Sequence, residues 1–137
     1  MSTTISGDTG VDKATNQAVK DAIGVTGTAP IFGCCAWVNF DGTRNEADTG
    51  ASVIGQNVKI RASGNVSSVV KNGVGSYTVN FTTAMPDANY SATGTISLLD
   101  SASTVDSYTT SSVRIVSFLS DTNQYTDPEY VTVSIFR

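Results

Sequence analysis

The stretch Val66-Ser67-Ser68-Val69-Val70-Lys71-Asn72-Gly73-Val74-Gly75-Ser76-Tyr77-Thr78-Val79-Asn80-Phe81 decides the fold. Its second half places Tyr77, Val79 and Phe81 on one side and Thr78 and Asn80 on the other. That period of two belongs to a strand with one buried face. The centre, Asn72-Gly73, tolerates the positive φ that tight hairpin turns demand, so it predicts the turn between two antiparallel strands.

The same alternation extends outward in both directions. Downstream, Met85-Pro86-Asp87-Ala88-Asn89 reads as a turn, and Tyr90, Ala92, Gly94, Ile96 and Leu98 alternate with small polar residues. Residues 100–112 are polar and read as a loop. Residues 113–119 are apolar on both faces, which predicts a central strand of a sandwich or a subunit interface. Residues 121–129 form another polar loop carrying Tyr125, and residues 130–136 make a last strand with Val131, Val133 and Ile135 inward. Upstream, Val58, Ile60 and Ala62 alternate with Lys59, Arg61 and Ser63. The run Ala36-Trp37-Val38-Asn39-Phe40 reads as a strand ending at the turn signal Asp41-Gly42. Many short strands with regular turns predict an all-β domain over residues 31–137, an antiparallel β-sandwich or jelly-roll-like fold.

Residues 1–30 read differently, as an N-terminal attachment segment and linker. Val11, Ala14, Ala18, Val19, Ala22 and Ile23 fall at helical spacing, with Asp12 placed to cap the start and Gly24 to end the helix. The apolar face is narrow and mostly alanine. Two readings remain open: a short helix that packs against copies of itself or a carrier protein, or an extended arm.

Composition narrows the function. Of 137 residues, 15% are charged, against about a quarter in ordinary domains, and 17 Ser and 19 Thr take up the difference. The net charge of −4 and the scatter of Lys59, Arg61, Lys71 and Arg114 argue against nucleic-acid binding, which depends on clustered cations. No apolar run reaches the roughly 18 residues of a membrane span, and Met1-Ser2-Thr3-Thr4 opens no signal-peptide pattern. The two cysteines, Cys34 and Cys35, are adjacent. They are expected to be reduced, with at least one buried as a small hydrophobe.

The chain contains no histidine. That removes the commonest general base, the Ser-His-Asp and Cys-His arrangements and most zinc or iron sites. No phosphate-binding glycine loop and no calcium-loop spacing is present, so neither cofactor nor metal is expected. Asp48-Thr49-Gly50 and Asp8-Thr9-Gly10 match the triplet of aspartic proteases, in which two carboxylates share a proton. The polar residues before each aspartate do not match the apolar strand that leads into that site. Val53-Ile54-Gly55 follows Asp48 too closely to be its downstream partner. The protease remains a remote alternative, and the expectation is a protein that is not an enzyme. Exposed aromatics beside Asp or Asn are a common sugar-binding chemistry. Tyr108 and Tyr125, in polar loops, are the candidates for such contact; Trp37 is expected in the core or an interface.

Four ordered blocks carry a family resemblance. They are Ala36-Trp37-Val38-Asn39-Phe40-Asp41-Gly42-Thr43, the run from Lys59-Ile60-Arg61-Ala62 to Ser68-Val69, the run from Gly75-Ser76-Tyr77 to Ala88-Asn89-Tyr90, and Tyr130-Val131-Thr132-Val133-Ser134-Ile135-Phe136-Arg137. Over about residues 34–137 the chain resembles bacteriophage tail-fibre-like proteins. The resemblance implies a β-rich structural component of the virion, usually homotrimeric, displayed distally for attachment to a host-surface receptor, with no catalytic residues. Residues 1–30 would then join another virion protein of the tail or capsid. Trp37, Phe81, Val116 and Phe118 are the candidates for core or trimer packing. The chain lacks the long shaft of larger members, which leaves tail fibre, short knob and capsid-mounted spike open as mountings. A decoration or adaptor without a receptor is the alternative role.

Overall fold

Among residues 16–24, 26–28 and 32–137, which the computed structural model describes, one helix and eight strands form. They belong to two units, Met1–Phe32 and Gly33–Arg137. In the first, helix α1 covers Asn16–Ile23 and stops at Gly24, whose φ of 71° is the left-handed helix-ending conformation that glycine adopts freely. The ammonium of Lys20 donates to the Gly27 carbonyl at 2.9 Å. Asp12, the first half of the expected helix, Asp8-Thr9-Gly10 and Pro30 lie outside the described residues.

The second unit is an antiparallel sandwich of two four-stranded sheets. Its strands are β1 (Cys34–Asn45), β2 (Val58–Gly64), β3 (Val66–Gly73), β4 (Ser76–Phe81), β5 (Ser91–Ile96), β6 (Ser101–Asp106), β7 (Ser112–Leu119) and β8 (Val131–Phe136). One sheet runs β2-β1-β8-β5 and the other β3-β4-β7-β6. The inward side chains are those that the alternation names. Ala36, Val38 and Phe40 of β1 and Val131, Val133 and Ile135 of β8 face Val69, Tyr77, Val79, Phe81, Val113 and Ile115 from the other sheet. Phe40 meets Tyr77 edge-on at 5.1 Å and Phe81 meets Tyr90 at 5.8 Å, contacts worth about 0.5–1.5 kcal/mol beyond area burial.

The chain turns from one sheet to the other at both margins, so each open edge is shielded by a corner. Between β2 and β3 the corner is Asn65, at φ 55°. Its amide donates to the Cys35 and Thr83 carbonyls, and its oxygen accepts from the Thr83 N–H at 2.7 Å. Between β5 and β6 the corner passes through Asp100, at φ 51°, and the Ser101 hydroxyl donates back to the Leu98 carbonyl.

Several local expectations are corrected. Asp41-Gly42 is not a turn: β1 runs through it, with its register against β2 shifting between Asp41 and Asn45. Gly42 lets the strand pass because a Cβ there would lie 2.4 Å from the Tyr77 hydroxyl and 2.7 Å from the Pro128 carbonyl oxygen. The hairpin turn is Val74-Gly75, flanked by the pair Gly73 and Ser76, and not Asn72-Gly73. The positive φ falls on Gly75, at 64°. Half of the 100–112 loop is strand β6. The sequence shows no alternation there because Ser101 and Ser103 take positions where an apolar residue would mark a strand. The Ser103 hydroxyl satisfies itself on the Gly94 carbonyl at 2.9 Å. Neither cysteine is fully buried. Cys34 is exposed and Cys35 half-buried at the margin of the core, because the register shift between Cys34 and Ala36 starts the inward alternation at Ala36; both thiols are free.

Candidate functional site

The outer face of the β3-β4-β7-β6 sheet carries a feature that its strands alone do not make. Past Val116, β7 loses β4 as its neighbour, because β4 has turned away at Val74-Gly75. The connection between β7 and β8 takes the vacated place. Leu119 N–H donates to the Gln124 carbonyl at 2.9 Å, and Tyr125 bridges Phe118. Residues 120–126 therefore act as a strap laid in line with β4. Cross-strand partners share a face, so Tyr125 stands on the outer side with Phe118. Its ring is 63% exposed and its hydroxyl bonds to no described residue.

Three sets of contacts hold this strap. The Ser117 hydroxyl donates to the Thr126 carbonyl at 2.5 Å. Next, Asp127 reaches inward, accepting from the Gly75 N–H at 2.7 Å, the Tyr77 hydroxyl at 2.5 Å and the Lys71 ammonium at 2.5 Å. Finally, the Arg61 guanidinium pairs with Asp41, donates to the Glu129 carbonyl and lies 3.9 Å above the Tyr130 ring. Gly75 is squeezed under the strap: a Cβ there would come within 2.5 Å of the Ser117 carbonyl oxygen and 2.6 Å of that of Thr126.

Electrostatics follow from burial and partners. Burial alone would raise the Asp127 carboxyl. The Gly75 N–H, Lys71 and Tyr77 outweigh it and hold the group below its ordinary value, so it stays ionised. The Tyr77 phenol is pushed far up, first by burial and then by the Asp127 carboxylate, so it remains a donor. Lys71, 6% exposed along its side chain, is thus a buried cation with its counter-ion in place.

On either side of Tyr125 the surface sinks. One depression, of about 260 Å³, lies between Tyr125, Asn123 and the β6 residues Thr104 and Asp106. The other, of about 370 Å³, lies between Tyr125 and the β3–β4 turn, at Asn72, Gly73, Val74 and Ser76. Arg114 and Val116 line both. Arg114 grips Asp106 with two parallel bonds of 2.7 Å, which lowers the Asp106 carboxyl and neutralises the charge of the floor.

The residues singled out by sequence are scattered over this frame. Tyr125 is the centre of the grooved face. Tyr108 is 38% exposed, leans on Tyr90 with ring centres 5.2 Å apart, and lines neither depression. Val116 and Phe118 lie outside the core, on the outer side of β7. Val116 is nonetheless only 8% exposed, and Phe118 lines the smaller depression. Phe81 is 7% exposed within the core. Of the two places considered for Trp37, the core is excluded: it is 43% exposed on the outer side of the other sheet, its ring lying against Gly64. Asp48 occupies an exposed turn at φ 57°, paired with Lys59 and Arg44. These pairs lower its carboxyl. Among the described residues, no three His, Cys, Asp or Glu side chains gather as a metal site. A wider cleft of about 530 Å³, lined by Asn45, Glu46, Ala47, Gly55, Gln56 and Asn57, carries no aromatic ring.

Sequence reasoning missed Asp127 and Arg61. The available signal was Lys71, which falls in the inward register of β3 two residues after Val69. A lysine there requires a buried partner, although nothing in the sequence says which acid supplies it. Compared with known families, with curated proteins and with solved structures, the chain matches none.

Proposed function

We propose that this chain is a structural virion protein of a bacteriophage, a fibre tip or knob that attaches the particle to its host through the grooved outer face of the β3-β4-β7-β6 sheet. The observation that carries the reading is Tyr125: a large, exposed, unbonded aromatic on a strap anchored from below by Asp127. An isolated exposed aromatic on a loose loop loses entropy on binding, whereas a preorganised one contributes most of its contact energy. The four family-like blocks support the virion assignment. They map chiefly onto strands and their corners, while the strap lies between the third and fourth blocks.

In this reading the chain has no catalytic role and needs no cofactor. Residues 1–30 join it to another protein of the tail or capsid, and three copies assemble with Trp37 at the contact. Three weak sites displayed together bind far more tightly than one. The test is binding of the recombinant full chain to host cells, with Tyr125→Ala and Tyr108→Ala as variants. Attachment reduced about tenfold by the first and changed little by the second is the expected result. Equal binding by wild type and Tyr125→Ala breaks the assignment of the face. A particle map in which other subunits bury the strap favours a decoration or adaptor role instead.

A further inference from the structure

The chemistry of the two depressions says more about the ligand than that it touches tyrosine, given that this face is the attachment site. We infer that the groove takes an uncharged saccharide chain of at least two sugar units, lying across the Tyr125 ring with one unit on each side.

Three features lead there. The depressions share Tyr125, Arg114 and Val116, so a ligand filling one can continue past the ring into the other; a single small molecule would occupy only half the groove. The exposed ring offers an apolar face to the C–H side of a pyranose and a free hydroxyl to its rim. Around it stand neutral hydrogen-bonding groups: Thr104 and Asn123 on one side, Ser76 and Asn72 on the other. The Asn72 amide gives one of its two N–H groups to the Thr78 hydroxyl, and its oxygen can accept from a ligand hydroxyl.

Charge decides between neutral and acidic sugars. Arg114 is the sole cation lining either depression, and Asp106 already occupies it at two points. A carboxylate or phosphate on the ligand would meet a cation whose charge Asp106 already neutralises and would lie beside the Asp106 carboxylate, which repels it. Hydroxyls can instead use the remaining lone pairs of the carboxylate without breaking the pair.

The test is an array of neutral and acidic bacterial surface glycans, from monosaccharides upward, probed with the labelled full chain at low and high salt. Neutral di- and oligosaccharides are expected to bind about tenfold better than their single units, with little change on adding salt. Tyr125→Ala should lower the signal about tenfold and Tyr125→Phe should keep most of it, both remaining fully folded at the assay temperature. Binding confined to acidic glycans and weakened by salt overturns the inference, as does binding to no neutral glycan. Cell attachment that survives periodate oxidation of surface sugars also overturns it, while leaving attachment through this face standing. Failure of the folded chain to bind cells at all removes the attachment reading itself.

Discussion

On the β2-β1-β8-β5 sheet, the outward positions of the central and edge strands hold Thr93, Thr95, Thr132 and Ser134, with Trp37 and Phe136 standing among them. The hydroxyls answer one another, as Thr95 and Thr132 do at 3.0 Å. On the β3-β4-β7-β6 sheet, the outward positions of β7 hold Arg114, Val116 and Phe118, crossed by a strap. Both faces arise from the same alternating code. One is plain; the other has relief, and a connection between strands supplies that relief. Distinct surface chemistry on a sandwich therefore depends on what holds its loops, and here that is a half-buried carboxylate 50 residues from the tyrosine it bonds.

The comparison can be broken most severely at Asp127. Asp127→Ala leaves the Lys71 ammonium buried without its counter-ion, with only the neutral Ser52 hydroxyl to accept from it, a loss of about 3–5 kcal/mol. The measurement is a denaturant melt, with the amides of Leu119 and Thr126 exchanging faster than those of β8. Adding Lys71→Met should return part of the loss; no recovery would show that the other acceptor contacts of Asp127 dominate.

Gly75→Ala comes next. It forces a left-handed φ on alanine and pushes a methyl into two carbonyl oxygens, costing about 1–3 kcal/mol. Strap amides should respond first, and the plain face should keep its spectrum. A uniform response across both sheets would mean that strap and sandwich melt as one.

Acid provides a smaller and graded lever. Because the Asp127 carboxyl is lowered when folded, its contribution is fully present above its ordinary value of 3.8. It is lost progressively as pH falls below that value toward the lowered one. Asp106 follows the same sign through Arg114. The melting temperature should fall over this window in the wild type and fall less steeply in Asp127→Asn. Parallel slopes in the two proteins would assign the acid response elsewhere.

The smallest effects on stability belong to the exposed rings. Trp37→Ala and Tyr125→Ala should each alter folding by at most about 1 kcal/mol. They should separate in other measurements. The first is expected to shift light scattering from three times toward one times the 14.2 kDa chain mass. The second should leave the mass unchanged and lower attachment about tenfold. A monomeric wild type would release Trp37 from its assigned role.

Much of this fold is legible in the residues, and for a physical reason. Val131, Val133 and Ile135, or Tyr77, Val79 and Phe81, announce their strands because burial on one face imposes period two. Ser101 to Asp106 announces nothing, since serines satisfied by a neighbouring carbonyl fill inward positions as well as valine does in a thin margin of the core. Aspartate and glycine at 41–42 carry turn chemistry but serve a different end, the passage of β1 beside Tyr77. The site is half legible. Tyr125 stands out as an aromatic in a polar loop. The loop folds back on β7 within a few residues, with no apolar alternation to mark it, and the role of Asp127 depends on a contact across 50 residues that no local pattern encodes.

Every group that anchors the strap lies at or after Thr126, or beneath it. Residues 121–124 are exposed and contribute to the anchoring only through backbone contacts at the strap's start. Substitutions at Thr122 and Gln124 can thus accumulate at little cost to folding, whereas Asn123, at φ 53°, holds a left-handed conformation that few other residues adopt easily. The exposed tip of the strap can change its side chains while the sandwich beneath it stays the same.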